Sequence, residues 1–375
     1  MDIRCLTAGE SHGKALVSVI DGMPAGLKLD IRFLNDELAR RMRGFGRGAR
    51  MRIEKDKVEI LSGTRKGRTL GSPIALLINN RDFKIETLPS ISRPRPGHAD
   101  LAGAIKFGES DIRNILERAS ARETASRVAA GAVFKILLGE FGIEFISHVI
   151  SIGRVASGRS FSFNRIKNTV RKSPVRCVEE GASGLMCLEI EKAKREGDTL
   201  GGTFEVIARG VPAGLGSYVQ WDRRLDAALA GAVMSIPGIK GVEIGLGFGA
   251  AGRRGSAVHD EIFFKAKPGK FYRKTNAAGG IEGGITNGED IVFRAAIKPI
   301  ATLVRALDSV DIKSKKKVKA QVERSDVCVV PSAAVIAESV AAIEVGRVFR
   351  EKFGGDSLTE MKRNYEGYIR QIKGI

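Results

Sequence analysis

The chain has 375 residues, is 43% apolar, and carries a formal charge of +19 from 62 Lys and Arg against 43 Asp and Glu. This length and apolar fraction suit a soluble globular body with one large or two intertwined cores. No early apolar run reaches signal-peptide or membrane-span length, and Cys5, Cys177, Cys187 and Cys328 form no CxxC pair, so a membrane anchor, a zinc site and a disulfide framework are disfavoured and a reducing cytoplasm is expected.

In chain order, residues 15–21 read as a strand ending in the turn Gly22-Met23-Pro24-Ala25-Gly26-Leu27. Asp30 is placed to cap a helix whose Leu34, Leu38 and Met42 share one face. From Arg40 to Lys57 basic residues crowd together with Gly44, Gly46 and Gly48, which predicts a mobile basic loop. Residues 57–63 and 72–79 read as strands. The Ala-rich stretch Ala119–Leu138 reads as one long, mostly buried helix. Gly210-Val211-Pro212-Ala213-Gly214-Leu215 then echoes residues 22–27, each copy after a strand-like apolar run, which suggests two related halves forming one body. Coincidence in a Gly-rich chain is the plainer alternative. Residues 333–353 read as a helix, and Ser357 to Glu360 as a capping box before another with Leu358, Met361, Tyr365 and Ile369 on one face. No Ser/Pro linker divides the chain, so residues 1–375 are expected to form a single α+β domain of large antiparallel sheets with helices on their faces.

The chemistry-bearing residues are sparse and specific. Two of only four histidines lie in glycine-bearing polar words, His12 in Gly9-Glu10-Ser11-His12-Gly13 and His98 in Arg95-Pro96-Gly97-His98-Ala99-Asp100. Histidine titrates nearest neutral pH and is a natural proton donor, although loop histidines also cap backbone groups. The cationic excess implies anionic partners: nucleic acid, acidic lipid or phosphorylated metabolites. Aromatics are only 6% and seldom interleave with basic segments, which weighs against nucleic acid. Arg113, Arg118, Arg122 and Arg127 recur at near-helical spacing around Ser120. Residues 118 and 122 on one face could grip phosphate or carboxylate with paired guanidinium forks, or form ion pairs with Glu117 and Glu123. Gly247-Phe248-Gly249-Ala250-Ala251-Gly252 matches GxGxxG but has neither the following helix nor the later acidic residue of a nicotinamide site. The glycine-dense run 276–285, the pair Lys298 and Thr302, and the pair Arg324 and Asp326 are further candidates, each with a structural reading as a hairpin or surface pair. A non-catalytic RNA-binding protein and a flavin enzyme with net hydride transfer remain competing readings at this point.

Read together, the words GESHG with VIDGMPAGL, VEILSGTRKGRTLGSPIALLI, RPGHADLAGAIKFGESDIRNILERASARETASRVAAGAV, GDTLGG, MSIPGIKGVEIGLGF, NAAGGIEGGITNGEDI, KPIAT and RSDVCVVP closely resemble the chorismate synthase family, in family order over nearly the whole chain. The resemblance implies a β-α-β sandwich, usually a homotetramer. It implies a carbon–oxygen lyase acting on phosphate, the seventh step of the shikimate pathway in aromatic amino acid biosynthesis. The reaction is 1,4-anti elimination of phosphate from 5-enolpyruvylshikimate 3-phosphate to give chorismate. It needs reduced FMN without net redox change. No long insertion of the kind that accompanies an intrinsic flavin reductase is present, so flavin is expected to be reduced at the expense of NADPH by a separate reductase. By resemblance, His12 protonates the departing phosphate, His98 lies near flavin N1, and Ser11 with Asp326 relays the C6 proton through flavin N5. Arg41, Arg47 and Arg122 fall on substrate contacts. Arg118, Ala119, Ser120, Gly238, Gly283, Lys298, Pro299, Ile300, Ala301, Thr302 and Arg324 fall on flavin-binding positions. Gly238 departs from the commoner alanine. No nucleic-acid, membrane or metal partner is implied.

Overall fold

A computed structural model describes residues 3–48, 53–158, 161–266, 269–323 and 325–373. Two antiparallel sheets form its outer layers. The first contains β1 (Arg4–Ala8), β2 (Ala15–Asp21), β3 (Val58–Ile60) and β4 (Ile74–Asn79) in the order β1-β2-β4-β3. The second contains β5 (Glu144–Ile152), β6 (Val155–Ala156), β7 (Gly202–Arg209), β8 (Ile239–Ile244) and β9 (Ile291–Ile297) in the order β8-β9-β7-β5-β6. The helices include α1 (Ile31–Met42), α2 (Asp100–Phe107), α3 (Arg113–Ala119), α4 (Thr124–Gly139), α5 (Phe163–Thr169), α6 (Leu225–Met234), α7 (Val330–Phe353) and α8 (Leu358–Ile372), and a further helix spans Glu180–Glu196 between α5 and α6.

The strand pattern follows from period-two alternation. Leu16 and Ile20 of β2, Ile74, Leu76 and Ile78 of β4, and Ile291, Phe293 and Ile297 of β9 point into the core, while alternate residues stay half-buried. Between the sheets lie α4 and α7. The first packs on β2 and β4, the second on β5 and β7, and they pack on each other. This is why α4 is buried nearly all round rather than amphipathic. The pair crosses closely because Gly131 has no side chain: a Cβ there would stand 2.5 Å from the Ser339 carbonyl oxygen. The β7 residues Phe204–Ala208 are buried on both faces, since α5 covers the outer side with Phe163 and Ile166 against Ile146 and Ile207.

The echo between residues 22–27 and 210–215 is a structural repeat. In the first half, Leu27 N donates to Thr69 Oγ1 at 2.9 Å, and Thr69 Oγ1 donates to Pro24 O at 2.6 Å. In the second, Leu215 N donates to Thr286 Oγ1 at 2.8 Å, and Thr286 Oγ1 donates to Pro212 O at 2.6 Å. Gly22 and Gly26, like Gly210 and Gly214, adopt positive φ that side chains disfavour. Numbered along the chain, β1–β4 and β5, β7, β8, β9 take the same spatial order, with α1 and α6 in matching connections and α4 and α7 as matching central helices.

Most local expectations match these bounds: β2, α1 with Asp30 accepting from Arg32 N at 2.8 Å, and α8 with Ser357 accepting from Glu360 N at 3.2 Å. The single helix expected over 119–138 is instead broken. Ser120 is extended (φ −67°, ψ 139°) and caps a 3-10 turn at Ala121–Glu123 before α4 begins. The glycine run 247–252 forms a short 3-10 turn. Residues 43–48 are tied down, with Phe45 N donating to Pro174 O and Val327 N to Gly46 O, so the described part of the basic loop is anchored; residues 49–52 lie outside the described residues.

A buried ionic cluster joins the layers. Lys135 Nζ of α4 donates to Glu37 Oε2 of α1 at 2.6 Å and to Glu338 Oε2 of α7 at 2.7 Å. Glu338 also accepts from Arg40, Ser147 and Arg176. Burial alone would raise the Glu338 carboxyl, but Arg40, Lys135 and Arg176 outweigh it and hold it far below the usual range. Arg40 therefore faces the core, and its neighbour Arg41 faces a cavity.

Candidate active site

That cavity, about 730 Å³, is lined by residues from both halves. The turn between β1 and β2 supplies Ser11 and His12. The C-terminal end of α1 and the loop after it supply Arg41, Arg47 and Gly48. The segment before α2 supplies Arg95, Gly97 and His98, and the region from α3 into α4 supplies Arg113, Ala119, Ser120, Arg122 and Thr124. From the second half come Gly238, Lys298 to Thr302 after β9, and Ser325 and Asp326 before α7.

The turn holding His12 is fixed on every side. Ser11 N donates to Glu117 O at 2.9 Å, Lys84 N donates to His12 O at 3.0 Å, and Asn80 Nδ2 donates to Glu10 O at 3.1 Å and Gly13 O at 2.7 Å. Glu117 Oε2 accepts from His12 N at 2.8 Å, and His12 Nδ1 stands 2.9 Å from Glu117 Oε1. Burial would raise the Glu117 carboxyl, but hydrogen bonds from His12 lower it below its ordinary value. Since that ionised carboxylate only accepts, Nδ1 carries the hydrogen. Nε2 lies 3.9 Å from Asp82 Oδ2, on the cavity wall.

His98 has a similar arrangement. Its Nδ1 is 2.5 Å from Asp100 Oδ1, and Arg95 grips the same carboxylate through Nε at 2.8 Å and Nη2 at 3.0 Å. Arg95 Nη2 is also 3.1 Å from His98 Nδ1, but two donors do not bond each other, so the Asp100 contact sets the tautomer. Burial of Asp100 is outweighed by His98 and Arg95, which hold its carboxyl well below the usual range. Arg95 Nη1 donates to Thr302 Oγ1 at 2.9 Å, and Lys298 Nζ donates to Gly97 O, which joins this loop to the second half.

The cationic wall divides into committed and available groups. Arg122 commits three of its five N–H groups to the wall, donating to Asp56 at 2.7 Å and to Asn80 at 2.8 Å and 3.0 Å. Arg41 donates to Thr124 and Ala121, while its buried Nη1 has no hydrogen-bond partner among the described residues. Burial pushes Arg41 down to about 9, only partly offset by Asp56, with Arg122 and Arg47 adding to the fall. The buried Nη1 of Arg113 is similarly without a hydrogen bond. Such donors fit an anion entering the cavity. Asp326 closes the far side: Oδ1 accepts from Gly48 N at 2.5 Å and Oδ2 pairs with Arg47 Nη1 at 2.8 Å.

Two of the residues singled out from sequence stand apart, and a third is not described. Arg118 does not share a face with Arg122, because the break at Ser120 turns it outward to Thr7 O at 2.9 Å and Gly9 O at 2.8 Å. Gly283 is exposed in the hairpin Ile281–Thr286 and does not line the cavity. Arg324 lies outside the described residues. Sequence reasoning left out Asp82, Asp100 and Lys240; of these, only Asp100 carried a local signal, two residues after His98.

The chain also matches known proteins along its length. Residues 3–349 match the family model described as chorismate synthase. Curated chorismate synthases from Geobacter sulfurreducens and Caldanaerobacter subterraneus are each 54% identical, covering all of both chains, and one from Geotalea daltonii is 55% identical over 99% of this chain. A crystal structure of chorismate synthase superposes with a TM-score of 0.84 at 43% identity, over 100% of this chain and 99% of that one. The cavity's paired histidines and cationic wall, the two-sheet architecture and these full-length likenesses agree: the chain belongs to the chorismate synthase family.

Proposed function

We propose that this cavity eliminates phosphate from 5-enolpyruvylshikimate 3-phosphate to yield chorismate. The carrying observation is convergence: Ser11, His12, His98 and Asp326, far apart in sequence, line one cavity with Arg41, Arg47, Arg95, Arg113 and Lys298. The substrate bears two carboxylates and a phosphate, and the wall offers fixed cations and unbonded guanidinium nitrogens for them. His12 donates from Nε2 to the phosphate as its bond to C3 breaks. Ser11 and Asp326 take up the proton leaving C6, and the double bonds rearrange with no electrons gained or lost overall.

The cavity fits a flat, phosphorylated cofactor. Ile236, Pro237, Ile297, Ile300, Val329 and Ile336 give it apolar surface beside the cations. Gly238, at φ +90°, leaves space that a Cβ would bring within 3.2 Å of the Ile297 side chain. Ala119, Ser120, Gly238 and Lys298 to Thr302 would hold FMN, with His98 beside it. Reduced FMN, when bound, supplies electron density transiently to the elimination. NADPH-linked reduction is assigned to a separate enzyme.

The main buried cluster runs through both halves, which supports one domain over residues 1–375. Exposed Tyr218, Val219, Trp221 and Phe248 give apolar surface of the kind that subunits cover, which supports a homotetramer. No described helix is long and apolar enough to cross a membrane, and the cysteines are free, in keeping with a cytoplasmic setting. Anaerobic incubation with the substrate and chemically reduced FMN tests the activity. Phosphate and chorismate should appear together, with no NADPH consumed per turnover. Absence of phosphate would overturn the reading.

A further inference from the structure

The hydrogen bonds around His12 point to a residue outside those singled out for the reaction. We infer that Glu117 is a positioning residue that keeps the hydrogen of His12 on Nδ1, so that Nε2 is the nitrogen that exchanges its proton with the leaving phosphate. This inference rests on the elimination proposed above.

Glu117 comes from α3, 105 residues from His12, and its side chain is 2% exposed. Its backbone oxygen accepts from Ser11 N, and its carboxylate accepts from both His12 N and His12 Nδ1. One residue therefore fixes the backbone of the turn and the orientation of the imidazole. An ionised carboxylate has no hydrogen to donate, so neutral His12 has one stable tautomer there, Nδ1–H. Protonated His12 then loses its proton from Nε2. The opposite tautomer would leave the Nε2 hydrogen on the neutral ring and the Glu117 carboxylate facing a lone pair.

The surrounding charges are consistent with this role. Arg113 Nη1 lies 3.6 Å from Glu117 Oε1, which favours the ionised form from the far side. Asp82 Oδ2, 3.9 Å from His12 Nε2, attracts a proton toward the cavity side, and Lys84 Nζ pairs with Asp82 Oδ1 at 2.9 Å and tempers that pull. Glu10, within the same turn, has its carboxylate against Gly13, and Asp82 is the acidic group facing Nε2. A carboxylate orienting a histidine by its second nitrogen is a general device, and its loss usually costs about 10- to 100-fold in activity or affinity where it has been measured at metal sites.

The test is Glu117→Gln. Its amide can donate to Nδ1 while its oxygen accepts from His12 N, which reverses the tautomer with little change of shape. Histidine ¹⁵N spectra of the protein without ligands read this directly, and the chain has only four histidines to assign. We expect neutral His12 to change from Nδ1–H to Nε2–H, with the His98 signal unchanged as an internal control. Single-turnover phosphate release should fall by about 10- to 100-fold, with substrate KM changed by less than about 3-fold. Glu117→Asp keeps an acceptor-only group. It should keep the Nδ1–H tautomer and recover part of the rate, and it remains readable if the Gln variant does not fold. Retention of Nδ1–H in Glu117→Gln, or full turnover despite a reversed tautomer, would overturn the inference. Loss of phosphate release in the unsubstituted protein would instead refute the elimination itself, while leaving the tautomer result intact.

Discussion

The two halves share a scaffold and differ in the connections between its strands. The turns at 22–27 and 210–215 are locked by Thr69 and Thr286 through the same pair of hydrogen bonds. The matching connections diverge. Between β1 and β2 the first half has only residues 9–14, a tight turn that presents Ser11 and His12. Between β5 and β7 the second half has residues 153–201, which include the short β6, α5 and the helix Glu180–Glu196, and α5 covers the outer face of its sheet. The first half supplies His12, His98 and most of the cations, while the second supplies Lys298 to Thr302 and Asp326. Duplication thus explains the framework, and divergence of the connections explains the chemistry. The contacts Arg95–Thr302, Lys298–Gly97 and Arg47–Asp326 join one half to the other across the cavity.

Changes confined to the cavity-lining connections should affect rate far more than stability. His12→Ala and His98→Ala are expected to lower turnover by roughly 10- to 10⁴-fold. Urea midpoints should fall only modestly, by the His12–Glu117 and His98–Asp100 contacts removed, because both rings line the cavity rather than the core. Near-normal turnover in both variants would break the comparison.

The shared core should behave in the opposite way. Glu338→Gln leaves Glu37 to balance Lys135 and Arg40 and removes the carboxylate that pairs with Arg176, at a cost of about 3–5 kcal/mol by urea unfolding. The pH dependence follows from Glu338 together with the two carboxylates that hold the cavity histidines. Glu338, Asp100 and Glu117 have folded pKa values depressed below those of the unfolded chain. Their stabilisation is therefore fully present above about pH 5 and is lost as the pH falls through about 4 and below. Stability in the Gln variant should decline less steeply over that acid range; an unchanged slope would remove Glu338 from the account.

The smallest effects come from the duplicated turns. Thr69→Val and Thr286→Val each leave a buried amide and carbonyl unpaired, costing about 1–3 kcal/mol, and Thr→Ser should restore most of it. Similar losses in both halves would sharpen the claim of equivalence. A clear loss in only one would show that the repeat is geometric rather than energetic.

Much of this framework was legible in the sequence because its signals are local. Asp30 and Ser357 mark helix starts, alternation marks β2 and β4, and the repeated PAGL marks the two turns. His12 and His98 stood out as polar words in a chain poor in histidine. Their partners did not stand out equally. Asp100 is two residues from His98, but Glu117 reaches His12 only through the packing of α3 on the β1–β2 turn. The break at Ser120 was hidden because Ala, Arg and Glu all favour helix, and only tertiary contacts of Arg118 and Arg122 show what the break achieves. The meeting of the Asp326 carboxylate with Arg47 and Gly48 of the basic loop carried no local signal, because Gly48 and Asp326 lie 278 positions apart.

That last contact gives Asp326 two readings, as the base that takes up the C6 proton or as a latch for the loop carrying Arg47. Single-turnover phosphate release by Asp326→Asn, at saturating reduced FMN and substrate, separates them most directly. Saturation compensates for a loosened loop but not for a missing base. The account predicts a rate at least about 10-fold below that of the unsubstituted protein under these conditions. An unchanged rate at saturation, with only weakened binding, would contradict the claim that the two halves jointly supply the acid and the base of one elimination.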